Sequence, residues 1–254
     1  MDYIALGRSN LMVSRTAFGA MSLKDVGDEE SAAILVRQAY EAGVNFFDTS
    51  HSAPESEKLL GDCLHGIRQD VILATKSSAL NARQLARDLE ESLDALHTDY
   101  IDLFQYETES LIPSPDGADG IYDELEKFRS AGKILNIGLT TQTEAVASRM
   151  IAESSLFETL QYPFNLLLGD TASGIVKNCE ERDVGFIAMK PLFSGLVQNI
   201  SLAFGFLYQF ENVVPVWGVR TSSELQQILY FASHPPVIDD NFKAELKRLS
   251  DFFN

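Results

Sequence analysis

The apolar positions of this chain fall into two alternating rhythms. Short runs rich in Val, Ile, Leu and Phe recur at residues 44–47, 71–75, 101–106, 134–139, 157–161, 184–189 and 213–217, with a first one at 16–20. Between them apolar residues return every three or four positions, as in Leu85, Leu89, Leu93 and Leu96. The runs lack polar alternation, which is the pattern of strands covered on both faces. The wider spacing marks one face of a helix. Gly43 follows the stripe through Ala32, Leu35, Val36 and Ala39, and Gly132 follows Leu125 and Phe128, each where a helix should stop.

Strand–helix units in this series predict an α/β fold, a (β/α)₈ TIM barrel. Residues 3–6 and 12–14 bracket Gly7-Arg8-Ser9-Asn10 and predict an N-terminal β-hairpin. Residues 242–253 predict an extra C-terminal amphipathic helix, and 202–210 an unusually apolar one. An open doubly wound sheet would want a glycine-rich phosphate loop, and no Gly-x-Gly-x-x-Gly occurs. No Pro/Ser-rich linker interrupts the pattern, so residues 1–254 are expected to form a single barrel domain.

Charge narrows the partners. Lys and Arg number 20 against 37 Asp and Glu, a net −17 that repels nucleic acid and anionic membrane. The acids are scattered, as on a solvated surface; an acidic face for a protein partner, or a homo-oligomer, stays open. Cys63 and Cys179 form no Cys-x-x-Cys and no zinc-spaced cluster with histidine, so no metal is expected. The first ten residues lack the form of a signal peptide, and no apolar run approaches the ~20 residues of a membrane span. A cytoplasmic location is the expectation.

A barrel works at the C-terminal ends of its strands. There the chain places Asp48, Lys76, Glu107, Gln161, Asn165, Lys190 and Arg220. Singly, each reads as well as a cap, an ion pair or a loop residue; together they converge on one rim. Asp48 and Lys76 on neighbouring strands should pair. Glu107 either joins Lys76 as an ion pair or, in a dry setting, keeps its proton for a substrate oxygen. His51, three residues past Asp48, is a candidate acid. Arg220-Thr221-Ser222 opens a helix and suits a phosphate. Asp48 as a metal ligand lacks a histidine or second acid at ligand spacing.

At these residues the chain resembles the aldo-keto reductase superfamily. The likeness runs through Leu6-Gly7-Arg8-Ser9-Asn10, Phe18-Gly19, Ala42-Gly43-Val44-Asn45-Phe46-Phe47-Asp48-Thr49, Ser56-Glu57, Leu60-Gly61, Ala74-Thr75-Lys76, Asp99-Tyr100-Ile101-Asp102-Leu103, Gly132-Lys133-Ile134, Ile137-Gly138, Pro191-Leu192 and Pro215-Val216-Trp217-Gly218. The resemblance implies a (β/α)₈ barrel that binds NADP(H) and moves hydride between nicotinamide and a carbonyl. Of the family's Asp, Tyr, Lys and His, the first and third match Asp48 and Lys76. The tyrosine position holds Ala53, followed by Pro54, and the histidine position holds Glu107. Steroid double-bond reductases of the family also carry glutamate there, but keep the tyrosine. The cofactor pocket implied by the family retains Gln161, Asn165 and Arg220. Thr140-Thr141 stands for Ser-Asn, Met189 before Lys190 for the stacking ring, and Ile228 for the asparagine near the adenine.

Three functions follow as expectations. The first is an NADP(H)-dependent oxidoreductase for a small carbonyl or enone, using Asp48, Lys76, Glu107 and His51, with Gln161, Asn165, Lys190, Arg220, Thr221, Ser222 and Thr140 on the cofactor. The second is a non-redox lyase or isomerase, with Lys76 or Lys190 forming an imine. The third is a catalytically inactive regulatory or binding barrel, with the apolar helix at 202–210 as its candidate patch.

Overall fold

The computed structural model describes residues 1–153 and 155–253, without the side chains of residues 170, 171, 194, 250 and 253. The chain opens on an antiparallel hairpin, β1 (Tyr3–Ala5) and β2 (Met12–Ser14). Eight parallel strands then follow: β3 (Ala17–Gly19), β4 (Phe46–Asp48), β5 (Ile72–Ser77), β6 (Ile101–Glu107), β7 (Ile134–Thr140), β8 (Thr159–Pro163), β9 (Gly185–Met189) and β10 (Val213–Gly218). Each pairs with its sequence neighbours, and β10 closes onto β3. The helices α1 (Glu29–Glu41), α2 (Pro54–Cys63), α3 (Ala82–Ala95), α4 (Ile121–Ser130), α5 (Glu144–Ala152), α6 (Gly169–Glu181), α7 (Ile200–Tyr208) and α8 (Ser222–Ser233) alternate with them. The C-terminal α9 spans Asp240–Phe253.

Two apolar cores explain why the strand runs look continuous. Side chains alternate across a strand. Phe47, Leu73, Phe104, Leu160 and Phe186 face the helices, while Phe46, Ala74, Leu103, Ile187, Val214 and Val216 fill the lumen. Leu6 and Val13 of the hairpin join the lumen cluster, so β1 and β2 plug its N-terminal end. Gly7 makes this docking fit. It has φ +51°, and a β-carbon there would lie 2.2 Å from the backbone N of Gly185.

The strand expected from residue 44 begins at Phe46. The preceding Asn45 is held to β2 instead: its Oδ1 accepts from Ser14 N at 2.6 Å, and its own N–H donates to Ser14 Oγ at 3.1 Å. The apolar helix is not an exposed patch. Leu202, Ala203, Phe204, Phe206 and Leu207 of α7 are buried, and Phe204 stacks on Trp217 with ring centroids 5.8 Å apart. Among the described residues no helix is long and apolar enough to cross a membrane.

Candidate active site

The polar residues of the candidate site enter the lumen above the apolar layer. In register, Asp48 lies beside Ala74, and Lys76, two residues on, lies beside Gln105. Lys76 Nζ donates to Asp48 Oδ2 at 2.8 Å and to Thr49 O at 2.7 Å. The other carboxylate oxygen, Asp48 Oδ1, accepts from Gln105 Nε2 at 3.1 Å and Gln161 Nε2 at 3.0 Å. Thr140 Oγ1 donates to Gln105 Oε1 at 3.3 Å. The Asp48 and Lys76 side chains are 4% and 6% exposed. A charge pair this dry persists only when its donors and acceptors are engaged, and here both carboxylate oxygens and two of the three ammonium N–H groups are. The amides of Gln105 and Gln161 fix the carboxylate, and the carboxylate fixes the lysine.

Glu107 ends β6 beside Thr140 and shares the lumen parity of Leu103 and Gln105. It does not pair with Lys76, as one expectation had it. Lys76 is level with Gln105, and Glu107 stands two residues higher, about 6.6 Å along the strand. Half-buried, its carboxylate makes no hydrogen bond or ion pair among the described residues. Ala53, at the N-cap of α2, is buried and carries no hydroxyl toward the mouth.

His51 turns away from the mouth. Its backbone N–H donates to Lys76 O at 2.9 Å, and that bond directs the loop outward over α3. The ring lies 3.3 Å from Ser92 Oγ and 3.6 Å from Asp88 and Glu91, so it is not an acid for the Asp48–Lys76 pair. Glu57 backs the ring. Burial pushes its carboxyl above the usual carboxylate range, while hydrogen bonds from Thr75 and Ser92 pull the other way.

Residues 15–203 match the Aldo/keto reductase family. The chain belongs to the aldo/keto reductase family. It is 29% identical over 210 residues to L-galactose dehydrogenase of Arabidopsis thaliana, covering 76% of this chain and 66% of that protein. It is 26% identical over 207 residues to the uncharacterized oxidoreductase YqkF of Bacillus subtilis, covering 76% of this chain and 65% of that one. The chain thus spans just under two thirds of these relatives' length. Its fold is that of the holo aldo-keto reductase AKR11C1 from Bacillus halodurans, with a TM-score of 0.83 and 21% identity, over 98% of this chain and 96% of that one.

Aldo/keto reductases generally use a nicotinamide dinucleotide, and the donor set of the rim fits one unevenly. Gln161 and Thr140 border the mouth, and both bond inward to the Asp48 network. Asn165 is committed to its own loop: Nδ2 donates to Lys190 O at 3.0 Å, and Oδ1 accepts from Leu167 N and Leu168 N. It therefore positions Lys190, which is held at φ +56° with its ammonium bonded to Gln142 Oε1. Lys190 and Arg220 are exposed cations suited to phosphates, and among the described residues the Arg220 guanidinium has only Asp25 at 3.7 Å.

The N-terminus of α8 is partly capped by its own residues. Thr221 Oγ1 accepts from Glu224 N, and Glu224 Oε2 accepts from Arg220 N at 2.8 Å. A phosphate at Thr221 and Ser222 would lie near that carboxylate, with Lys190 and Arg220 as the exposed cations of the rim.

The reading from sequence missed Gln105 and Glu224. Gln105 stands two residues before Glu107 in the same strand, so strand parity alone aims it at the lumen. Thr221-x-x-Glu224 has the spacing of a capping box.

Proposed function

We propose that this chain is a nicotinamide-dependent oxidoreductase that reduces a small carbonyl or enone, with NADP(H) as its cofactor and Glu107 supplying the proton. The observation that carries this reading is the buried Asp48–Lys76 pair, clamped by Gln105 and Gln161, with the Glu107 carboxyl group, unbonded among the described residues, one layer above it. An acceptor oxygen at the mouth gains negative charge on reduction. Fixed donors aimed there lower the barrier because they need no reorganisation as that charge develops. Lys76 supplies a held positive charge, Asp48 and the two amides keep it from moving, and Glu107 delivers the proton.

When bound, the dinucleotide supplies hydride; Gln161 and Thr140 would flank its nicotinamide end, and Lys190 and Arg220 its phosphates. An enone suits a carboxylic acid donor, since its oxygen needs chiefly a hydrogen bond while the bond change occurs two carbons away. Without a tyrosine, simple aldehydes should react about 10²–10⁴-fold more slowly than a full acid would allow. The free thiols of Cys63 and Cys179 suit a reducing compartment and support a cytoplasmic location.

Calorimetric titration with NADPH and NADH, followed by NADPH oxidation with a panel of enones and aldehydes, tests the proposal. Cofactor should bind and be weakened by Arg220→Ala. Glu107→Gln should keep binding and lose turnover about 100-fold or more. No binding of either cofactor at millimolar concentration, or a Glu107→Gln enzyme as active as the parent, would overturn it. Ala53 favours a second reading, a barrel that binds without turning over; cofactor binding with no oxidation of any acceptor would select it.

A further inference from the structure

Behind the Asp48–Lys76 pair, on the outside of the barrel, one histidine faces several carboxylates. Asp88 and Glu91, three residues apart on α3, project from one helix face toward His51. His51 Nε2 is 3.6 Å from Asp88 Oδ1 and 3.6 Å from Glu91 Oε2, and the three ligand atoms all lie within 4.8 Å of one another. The Asp88 side chain is 5% exposed. Its Oδ2 accepts from Ser77 Oγ at 2.6 Å, which leaves Oδ1 aimed at the histidine. Glu91, 58% exposed, closes the outer side.

The far edge of the ring sets its tautomer. Ser92 Oγ donates to Glu57 Oε2 at 3.1 Å and lies 3.3 Å from His51 Nδ1. A hydroxyl that has given its proton to Glu57 accepts from Nδ1, so Nδ1 carries the ring proton and the Nε2 lone pair points at Asp88 and Glu91. A bare lone pair between two anions is repulsive. A proton on Nε2 would draw a carboxylate to about 2.7–2.9 Å. At 3.6 Å from each carboxylate, Nε2 is at ion-pair range of both. The same separation is that of two ligands of one tetrahedral ion: bonds of about 2.0–2.2 Å place donor atoms about 3.3–3.6 Å apart.

Two other groups face the cluster. Glu57 Oε2 is 3.9 Å from Nδ1, on the side away from the lone pair. Arg87 lies 3.6 Å from Asp88 Oδ1 and 3.9 Å from Glu91 Oε1; being 64% exposed, it is a loose counter-charge that can swing aside.

We propose that His51 Nε2, Asp88 Oδ1 and Glu91 Oε2 bind one divalent transition-metal ion of zinc-like preference, with water in the fourth position. A mixed nitrogen and carboxylate set suits Zn²⁺ better than Mg²⁺ or Ca²⁺, which take oxygen alone. The proposal does not depend on the reductase reading. The ion ties the loop after β4 to α3. Because Ser77, the Asp88 partner, follows Lys76 in β5, it also braces the outer side of the strand that carries the lysine.

Chelator-treated protein titrated with ZnCl₂ by calorimetry, and with CoCl₂ by visible absorption, tests the site. One equivalent should bind with a raised Tm, and Co²⁺ should show the intense visible band of tetrahedral coordination. His51→Ala should abolish the band, and Glu91→Gln, at an exposed position that leaves the fold intact, should weaken binding about tenfold or more. His97→Ala, which removes the exposed His97–Asp62 pair elsewhere, should change nothing. No heat and no Co²⁺ band at millimolar metal, or binding unaltered in both His51→Ala and Glu91→Gln, overturns the proposal.

Discussion

Asp48→Asn strands the ammonium of Lys76 in the barrel lumen. In the parent the carboxylate accepts from Lys76 at 2.8 Å, Gln161 at 3.0 Å and Gln105 at 3.1 Å, and the ammonium has one further acceptor, Thr49 O. With side chains only 4% and 6% exposed, neither ion can recover its hydration when the other is removed. Breaking such a pair costs about 3–5 kcal/mol, because the surviving charge is left uncompensated. Lys76→Met should cost a similar amount, since Asp48 then keeps two neutral amide donors.

The double variant removes both charges and leaves only imperfect amide pairing, which costs about 1–3 kcal/mol. The cycle should therefore show a coupling energy of about 3 kcal/mol or more. Urea unfolding followed by Trp217 emission reads it. That residue is the only tryptophan, is 1% exposed, and is stacked on Phe204, so its emission reports loss of the outer core. For a domain of this size a 3 kcal/mol loss lowers Tm by about 6–12 °C. A double variant whose destabilisation equals the sum of the singles, or singles that each cost under about 1 kcal/mol, would refute the buried, mutually dependent pair.

Two further outcomes follow from packing and burial. Gly61 lets α2 cross α3 closely: a β-carbon there would sit 2.6 Å from Ala95 O and 2.7 Å from the Leu96 backbone. Gly61→Ala should cost about 1–3 kcal/mol, read as a lowered urea midpoint, and an unchanged midpoint would mean the crossing is looser than described. Burial pushes the Cys63 thiol up to about 11 and that of Cys179 to about 12. At pH 8 the thiolate of either is then about one part in a thousand or less, so a disulfide reagent should label the folded chain slowly and take up two equivalents quickly in urea. Rapid stoichiometric labelling of folded protein at pH 8 would contradict that burial.

The barrel was legible because its strands bury both faces, and that requirement writes itself into consecutive residues such as 101–106. Asp48 and Lys76 were legible for the same reason, as charged residues that end such runs. His51 was not, because three residues after a strand end is enough chain to turn either into the mouth or out over the helices. The choice fell to one backbone bond, from His51 N–H to Lys76 O. The acids it meets on α3 are distant in sequence, and nothing in their i, i+3 spacing says which loop packs there. The helix start at Thr221 was ambiguous for a different reason. The signal was present in Thr221-x-x-Glu224, but a helix start suited to a phosphate is also suited to the chain's own carboxylate, and the nearer group takes it.

The same competition runs through the lumen. Gln105, Gln161 and Thr140 spend their hydrogen bonds on holding Asp48, and Asp48 spends its own on Lys76. The network is bonded largely from within, so its members are held in place. In the reduction proposed above, the proton would come from a side chain on the lumen face that the network leaves out. Among the residues expected at the rim, His51 is drawn off to α3, Asn165 to its loop and Lys190 to Gln142, which is why the proposal assigns that role to Glu107.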